Sequence, residues 1–363
     1  MKRSVVSFLI GLLAAWDAGA ASKKEKNKAQ AAAPVDLTWP GPPARPRIRF
    51  LAALSSAEDV SGKVKPSFVE RMSGRSPLRE QLRLRKPYGV AVDQRNRIYI
   101  ADPAQRSVLV FDREARVATA WKGNAQFPLF LPTSLAFDQH GRLLVSDSFA
   151  GQVVVFDPAG KPVAALGKGI FMRPAGLVVN PRRRRLYAAD IKQNQVLVFN
   201  IEDFKLHSRI GGKSTAGAFE PGTFSGPTNL ALDSRERLYV TDTWNCRVQV
   251  FDAEGRFVRT FGEQGIRPGK FVRPKGIAVD SEDHIYVVDA EFNNFQIFTP
   301  EGQPLLFVGS MGDQPGQFLL PAGLAIDRED RIYVTEQRLS GGRLQIFQYL
   351  REIPGAGAGA KTP

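Results

Sequence analysis

The chain contains 363 residues and has a formal net charge of +14 at pH 7, from 50 Lys and Arg residues against 36 Asp and Glu residues. Its single cysteine, Cys246, excludes a fold held by internal disulfide bonds and is best explained as a small buried thiol. The positive surplus favours an anionic partner, with a merely solvated basic surface as the alternative.

The first 46 residues fall into two parts. Residues 1–20 combine a basic start, an apolar run over residues 4–16 and a small-residue cleavage signature, which together predict a secretory signal peptide. The alternative is an uncleaved membrane anchor, although the apolar run is shorter than a bilayer requires. Residues 21–46 mix Lys, Ala and Pro without periodicity and predict a flexible spacer. The expected location is periplasmic or secreted, with no transmembrane segment in the mature chain.

A unit that occurs six times dominates the rest of the chain. Each copy has a proline, a short apolar strand ending in Asp or Asn, a second strand ending in an acidic residue, and a third strand ending in Phe. The copies begin at Pro87, Pro132, Pro174, Pro227, Pro274 and Pro321, at intervals of 45, 42, 53, 47 and 47 residues. Periods near this length are typical of propellers and solenoids.

A fourth apolar stretch follows most third strands, for example at residues 257–262 and 304–309. Four short strands per unit, separated by Gly, Asn and Asp turns, predict four-stranded antiparallel blades around an axis. The predicted fold class is therefore all-β, a six-bladed β-propeller. Gly89, Gly176, Gly276 and Gly323 stand in one column of the first strands, and Ser134 and Asn229 replace them in the other copies. That column requires small residues rather than positive φ.

Residues 47–350 form the predicted propeller domain. The sixth copy supplies three strands only, so we expect the strand-like residues 48–54 to complete the last blade and remove an exposed edge. Residues 55–85 then form a long connection, which is a candidate lid or docking element. Residues 351–363 form a Gly/Ala tail that is predicted to be disordered.

The patterns Gly-(Ile/Val/Leu)-Ala-(Val/Ile)-Asp, Ile-Tyr-Val-x-Asp and Arg-Val-Gln-Val-Phe-Asp resemble the NHL repeat family of six-bladed propellers. The resemblance covers residues 86–348 and implies the fold. NHL-like propellers include RNA-binding modules, protein-interaction modules, receptor sensor domains and a few lyases, so the resemblance implies no single function.

One face of the propeller is the predicted binding face. It is formed by the loops that enter the first strands and the loops that join second to third strands. These loops contain basic residues with interspersed aromatic ones, although Arg at such positions also stacks on neighbouring blades. The predicted binding residues are Arg85, Lys86, Arg106, Phe149, Arg173, Lys192, Trp244, Arg247, Arg273, Lys275, Phe292 and Arg338. The basic run at residues 182–185 lies in a turn of the opposite face and is expected to be solvated.

The acidic residues that end the second strands form an acidic column, Asp102, Asp147, Asp190, Asp242, Asp289 and Glu336. These carboxylates have two possible roles. They either surround the channel mouth, which is the opening of the central channel at the binding face, as cation ligands, or they cap backbone N–H groups. Recurrence in every blade favours capping. His140 and His284 lie in turns and His207 lies in or near an outer strand, so no His pair has ligand spacing. We expect no catalytic residues, no metal site and no cofactor.

These observations predict an exported, monomeric, non-catalytic binding or scaffolding propeller. Its expected partner is an envelope or extracellular protein, or else an acidic polysaccharide. Export argues against a nucleic acid. The functional alternatives are an acidic-glycan-binding module and a metal-dependent hydrolase or lyase of the propeller type.

Overall fold

The computed structural model describes residues 36–62, 82–212 and 219–351. The predicted signal peptide, residues 21–35 of the predicted spacer, the centre of the 55–85 connection and the tail from residue 352 lie outside these ranges. Within the described ranges, no helix is long and apolar enough to cross a membrane.

The described chain begins with β1 (Thr38–Trp39), β2 (Ile48–Leu54) and the short helix α1 (Glu58–Ser61). Blade 1 then contains β3 (Val90–Val92), β4 (Ile98–Asp102), β5 (Ser107–Asp112) and β6 (Val117–Lys122). Blade 2 contains β7 (Pro132–Phe137), β8 (Leu143–Asp147), β9 (Gln152–Phe156) and β10 (Pro162–Leu166). Blade 3 contains β11 (Pro174–Asn180), β12 (Arg185–Asp190), β13 (Gln195–Asn200) and β14 (Leu206–Gly211).

Blade 4 contains β15 (Pro227–Leu232), β16 (Leu238–Asp242), β17 (Arg247–Phe251) and β18 (Phe257–Phe261), with a 3-10 helix at Thr243–Asn245. Blade 5 contains β19 (Pro274–Val279), β20 (Ile285–Asp289), β21 (Asn294–Phe298) and β22 (Pro304–Val308). Blade 6 contains β23 (Pro321–Ile326), β24 (Arg331–Arg338) and β25 (Gly341–Tyr349), joined by β2 and β1. The all-β, six-bladed fold predicted from the repeats is confirmed.

The last blade joins the two ends of the propeller. β2 pairs antiparallel with β25, with Ile48 opposite Tyr349 and Leu54 opposite Leu344, as the sequence predicts. β1 adds a fifth strand, and the Trp39 ring packs edge-on against Phe347 with centroids 5.8 Å apart. The expectation of a flexible spacer through residue 46 is therefore wrong at its end, because the compact unit begins at Leu37.

Packing between blades explains the small-residue column. Tyr99 of blade 1 and Leu135 of blade 2 belong to one buried cluster, and the other buried clusters likewise join neighbouring blades. A Cβ at Gly176 would lie 2.5 Å from the Cα of Asn229 on the next blade. Gly176 is absent from the positive-φ residues, so size is what this position requires.

The ends of the 55–85 connection are held together. Ser56 and Arg83 form an antiparallel bridge, and the Leu84 N–H donates to the Ser55 carbonyl at 2.8 Å. Val60 and Leu84 are buried in a cluster that joins blades 1 and 6. These contacts fix where the connection leaves the propeller and where it returns, while its role as a lid stays a prediction.

Candidate functional site

The acidic column is a set of backbone caps. All six carboxylates are fully buried. Asp147 accepts the N–H groups of Phe130 (2.5 Å) and Leu131 (3.1 Å) in the entering loop, and those of Phe149 (3.1 Å) and Ala150 (2.9 Å) in the turn after β8. Asp102, Asp190 and Asp289 likewise accept backbone N–H groups from both loops. Asp242 and Glu336 each accept one N–H group of the entering loop and bind an arginine side chain in place of the turn backbone. The capping interpretation is confirmed, and the carboxylates lie beneath the face rather than on it.

Arg247 is a correction to the predicted binding face, because its side chain is buried. Its Nε donates to Asp242 at 2.8 Å, and its guanidinium donates to the carbonyls of Phe219 (2.9 Å), Glu220 (3.1 Å) and Thr223 (3.0 Å). Arg247 therefore anchors the loop that leads into β15. Arg343 contacts the corresponding loop of blade 6 in the same way, which explains why both blades have Arg four residues before the Phe of the third strand.

Seven of the predicted binding residues are exposed, and they are Arg85, Lys86, Arg106, Phe149, Arg173, Lys192 and Trp244. The two aromatic side chains are prominent, with Phe149 75% and Trp244 67% exposed. The other four, Arg273, Lys275, Phe292 and Arg338, are partly buried. Two of these form ion pairs, Arg273 with Glu291 at 3.1 Å and Arg338 with Asp313 at 3.6 Å.

The binding face also contains exposed apolar residues that the sequence analysis missed. They lie just before the repeat prolines or in the turn before a third strand, and they are Phe130, Met172, Leu320 and Leu339. The Phe130 and Phe149 rings lie 5.7 Å apart and form one aromatic patch on blade 2. Their position in the repeat could have identified them, because the two residues before a repeat proline belong to an entering loop and the residues between second and third strands belong to a joining loop.

Lys275 and Tyr88 meet at the axis. The ammonium nitrogen of Lys275 on blade 5 lies 5.3 Å from the centroid of the Tyr88 ring on blade 1. Burial, together with the nearby charge of Arg273, lowers the pKa of Lys275. Burial raises the pKa of Tyr88, while the charges of Arg173 and Arg273 act in the opposite direction. Side chains from blades 1, 3 and 5 therefore act on one another across the channel mouth.

The opposite face has an axial cavity of about 980 Å³, which the sequence analysis did not predict. Its apolar wall comes from the ends of first strands, Val92, Phe137, Val179, Val279 and Ile326. The carboxylates on its wall already have partners. Asp93, for example, accepts hydrogen bonds from Arg97 at 2.7 Å and from the Tyr99 hydroxyl at 3.2 Å. The nearby Arg183 pairs with Glu236 at 2.5 Å, so the basic run on this face is partly neutralised.

The three histidines lie apart from the channel mouth. His140 and His284 occupy turns between first and second strands, and His207 lies in β14, as expected. Among residues 36–62, 82–212 and 219–351, no three His, Cys, Asp or Glu side chains are grouped to hold a metal ion. Cys246 is buried, and its thiol donates to the Val272 carbonyl at 3.2 Å. Burial raises the pKa of this thiol.

These features define a six-bladed β-propeller of four-stranded blades with a loop-built face above buried caps. Residues 226–295 match a family model described as a 6-bladed beta-propeller. A stretch of 46 residues is 46% identical to Protein brain tumor of Drosophila melanogaster, and it spans 13% of this chain and 4% of that protein. The NHL-type repeat is consistent with these matches.

Solved structures share the fold at low sequence identity. Virginiamycin B lyase from Staphylococcus aureus aligns with a TM-score of 0.55 at 13% identity, over 82% of this chain and 99% of the lyase. A chain of the nidogen/laminin complex aligns with a TM-score of 0.51 at 16% identity, over 62% of this chain and 80% of that chain. Enzymes and binding proteins therefore both occur among the structural neighbours, and these likenesses establish the fold alone.

Proposed function

We propose that the protein is a non-catalytic binding propeller that docks an acidic protein onto its binding face. The observation that supports this most is a group of exposed, unpaired cations that lie beside exposed aromatic side chains on the binding face. Five exposed cations of the binding face form no ion pair and no side-chain hydrogen bond with any described residue, and they are Arg85, Lys86, Arg106, Arg173 and Lys192. On the opposite face, four turn arginines each bind an aspartate, and they are Arg97, Arg142, Arg237 and Arg331. Arg95, Arg235 and Arg328 of that face are exposed and form no ion pair with a described residue, so the adjacent aromatic side chains are what distinguish the binding face.

Exposed, unpaired cations raise the association rate with an anionic surface and cost little to leave in water. The aromatic side chains between them, Phe149 and Trp244, add apolar area of the kind that dominates binding energy at protein interfaces. A rigid six-bladed disc holds both kinds of group in fixed positions. The binding face therefore has the composition of a docking surface for a partner with acidic and apolar groups.

We also propose that this binding takes place outside the cytoplasm, in the cell envelope or beyond it. The support is the sequence of residues 1–20, which has the three parts of a secretory signal. N-terminal sequencing of the protein recovered from fractionated cells tests this directly. A start near residue 21 in the exported fraction is expected, whereas an intact start in the cytoplasm would remove the export proposal.

Charge reversal on one face tests the docking proposal. The mature chain is used to capture proteins from an envelope extract at low salt, and bound material is eluted with a salt gradient. The triple variant Arg85→Glu, Arg106→Glu, Lys192→Glu should lose most of the captured partner. The matched control is Arg95→Glu, Arg235→Glu, Arg328→Glu, which changes the net charge equally through three exposed arginines of the opposite face. Equal capture by both triple variants would overturn the assignment of the face.

The two functional alternatives, an acidic-glycan-binding module and a metal-dependent hydrolase or lyase, have different tests. Carbohydrate eluting without protein would favour an acidic-glycan-binding module, with Trp244 and Phe149 as stacking surfaces. A lyase is the other alternative, because virginiamycin B lyase has the same fold. Stoichiometric Ca²⁺ or Zn²⁺ in the purified protein would favour that class.

A further inference from the structure

Basic residues alternate with uncharged ones around the channel mouth. The residue directly before the repeat proline is Lys86, Arg173 or Arg273 in blades 1, 3 and 5, and it is Leu131, Gly226 or Leu320 in blades 2, 4 and 6. In a six-bladed ring, alternate blades are about 120° apart. Three basic residues therefore surround the mouth with approximate threefold symmetry.

The backbone that positions these residues is held by the preceding blades. In blades 2, 4 and 6, a hydroxyl side chain next to the acidic-column residue donates to a carbonyl at the start of the next blade's first strand. These pairs are Ser146 to Ala175 at 2.6 Å, Thr243 to Pro274 at 2.7 Å and Thr335 to Tyr88 at 2.5 Å. The carbonyl acceptors all belong to blades 1, 3 and 5. Both the charges and the hydrogen bonds that fix the inner strands therefore alternate around the ring. These hydrogen bonds hold the backbone of blades 1, 3 and 5 in place at the channel mouth.

Several donors at the axis have no acceptor among the described residues. The Lys275 ammonium faces the Tyr88 ring, and neither it nor the Tyr88 hydroxyl makes a hydrogen bond with a described residue. Arg173 likewise has no acceptor within the described chain. Arg273 uses Nη2 in its ion pair with Glu291 at 3.1 Å, but its Nε is buried without a partner. Lys275 is therefore a partly buried cation without a counter-charge among the described residues, which is costly, and such groups cluster at functional sites.

We propose that Tyr88, Arg173, Arg273 and Lys275 form an axial cluster that binds a phosphate group. The donors of this cluster come from three blades, with Tyr88 from blade 1, Arg173 from blade 3, and Arg273 and Lys275 from blade 5, and a phosphate group offers them three terminal oxygens. Guanidinium groups donate two parallel hydrogen bonds to phosphate, and the ammonium supplies a point charge. Tyr88 can donate its hydroxyl proton to the same oxygens, because burial keeps its phenol protonated. The phosphate is either inorganic phosphate or the end of a phosphomonoester, and the site stands whether or not the binding face docks a protein.

Calorimetric titration of the mature chain tests this site, with inorganic phosphate and glycerol 1-phosphate as probes. Wild type should bind one equivalent. Lys275→Met and Arg173→Gln should each weaken binding at least tenfold, because each removes a charge-assisted contact. Tighter binding of glycerol 1-phosphate would assign the site to a phosphomonoester, and tighter binding of inorganic phosphate would assign it to the free ion.

Two controls separate this site from the docking proposal. The triple variant Arg85→Glu, Arg106→Glu, Lys192→Glu should keep at least a third of the phosphate affinity, since these residues lie outside the axial cluster. Acetate and citrate at matched ionic strength should bind at least tenfold more weakly than phosphate. The inference is overturned if neither phosphate probe binds at millimolar concentration, if Lys275→Met binds as wild type does, or if citrate binds equally well.

Discussion

The ammonium of Lys275 faces the ring of Tyr88 at 5.3 Å, although blade 6 separates the blades to which the two residues belong. The contact crosses the channel mouth rather than joining neighbouring blades. A ring face attracts a cation, but this attraction replaces only part of the hydration that an ammonium loses on burial. Lys275 should therefore reduce stability while it positions charge at the axis.

Replacing Lys275 with Met should stabilise the fold at pH 7 by about 1 kcal/mol, because the apolar side chain keeps the packing and removes a partly buried charge. Urea denaturation followed by tryptophan fluorescence measures the change. Lys86→Met is the matched control, since Lys86 is exposed, and it should alter the free energy of unfolding little. A destabilised Lys275→Met would mean that the ammonium has a stabilising partner.

The pH dependence of this difference follows from the lowered pKa of Lys275. The unfolded chain binds the Lys275 proton more tightly than the folded chain does, so wild-type stability rises as pH rises between the folded and unfolded pKa values. The advantage of Lys275→Met should be largest at neutral pH and should shrink toward pH values of about 10.4, the ordinary pKa of lysine. A constant difference over this range would argue against burial as the cause.

Asp147→Asn tests the capping role of the acidic column. Asp147 accepts four backbone N–H groups in two loops, and an amide can accept fewer of them and brings unwanted donors. The variant should lose about 3 kcal/mol of stability, measured by chemical denaturation. Glu114→Gln, an exposed substitution, should lose almost none. A chelator should leave the wild-type melting temperature unchanged; a marked drop would instead indicate that the column holds a cation.

Local patterns were sufficient to predict the blades and the caps. The apolar period and the turn residues recur in every copy, so the strands, the ring closure by β2 and the role of Asp147 could be inferred from sequence. The buried position of Arg247 could not, because its acceptors lie in a loop about 25 residues away along the chain. The contact between Lys275 and Tyr88 depends on which blades meet across the axis, and a linear repeat does not contain that information.

Arg247→Lys tests the correction to the binding face. A lysine ammonium cannot bind Asp242 and three loop carbonyls at once, so the variant leaves buried acceptors without donors. It should lose about 3 kcal/mol of stability, measured as a shift of the urea midpoint. Arg85→Lys, which keeps an exposed charge, should behave as wild type. Normal stability combined with weakened partner capture would return Arg247 to the binding face.

His284 occupies a position where four other blades have an arginine that binds an aspartate, and this makes the stability of blade 5 depend on pH. Its Nδ1 lies 3.1 Å from Asp280, and that hydrogen bond raises the pKa of His284. The charge of Glu282 also raises this pKa, whereas burial and the charge of Arg47 lower it. The protonated imidazole therefore stabilises the fold fully below the unfolded pKa of about 6.5, and this contribution is lost as pH rises through the folded pKa. His284→Arg should remove this dependence and exceed wild type by about 1 kcal/mol at pH 9, because arginine stays charged. Chemical denaturation between pH 5.5 and 9 measures the free energy of unfolding of both proteins. His140→Arg, in an exposed turn, is the control and should retain the wild-type dependence on pH. Parallel curves for wild type and His284→Arg would show that the imidazole contributes no charge to the fold.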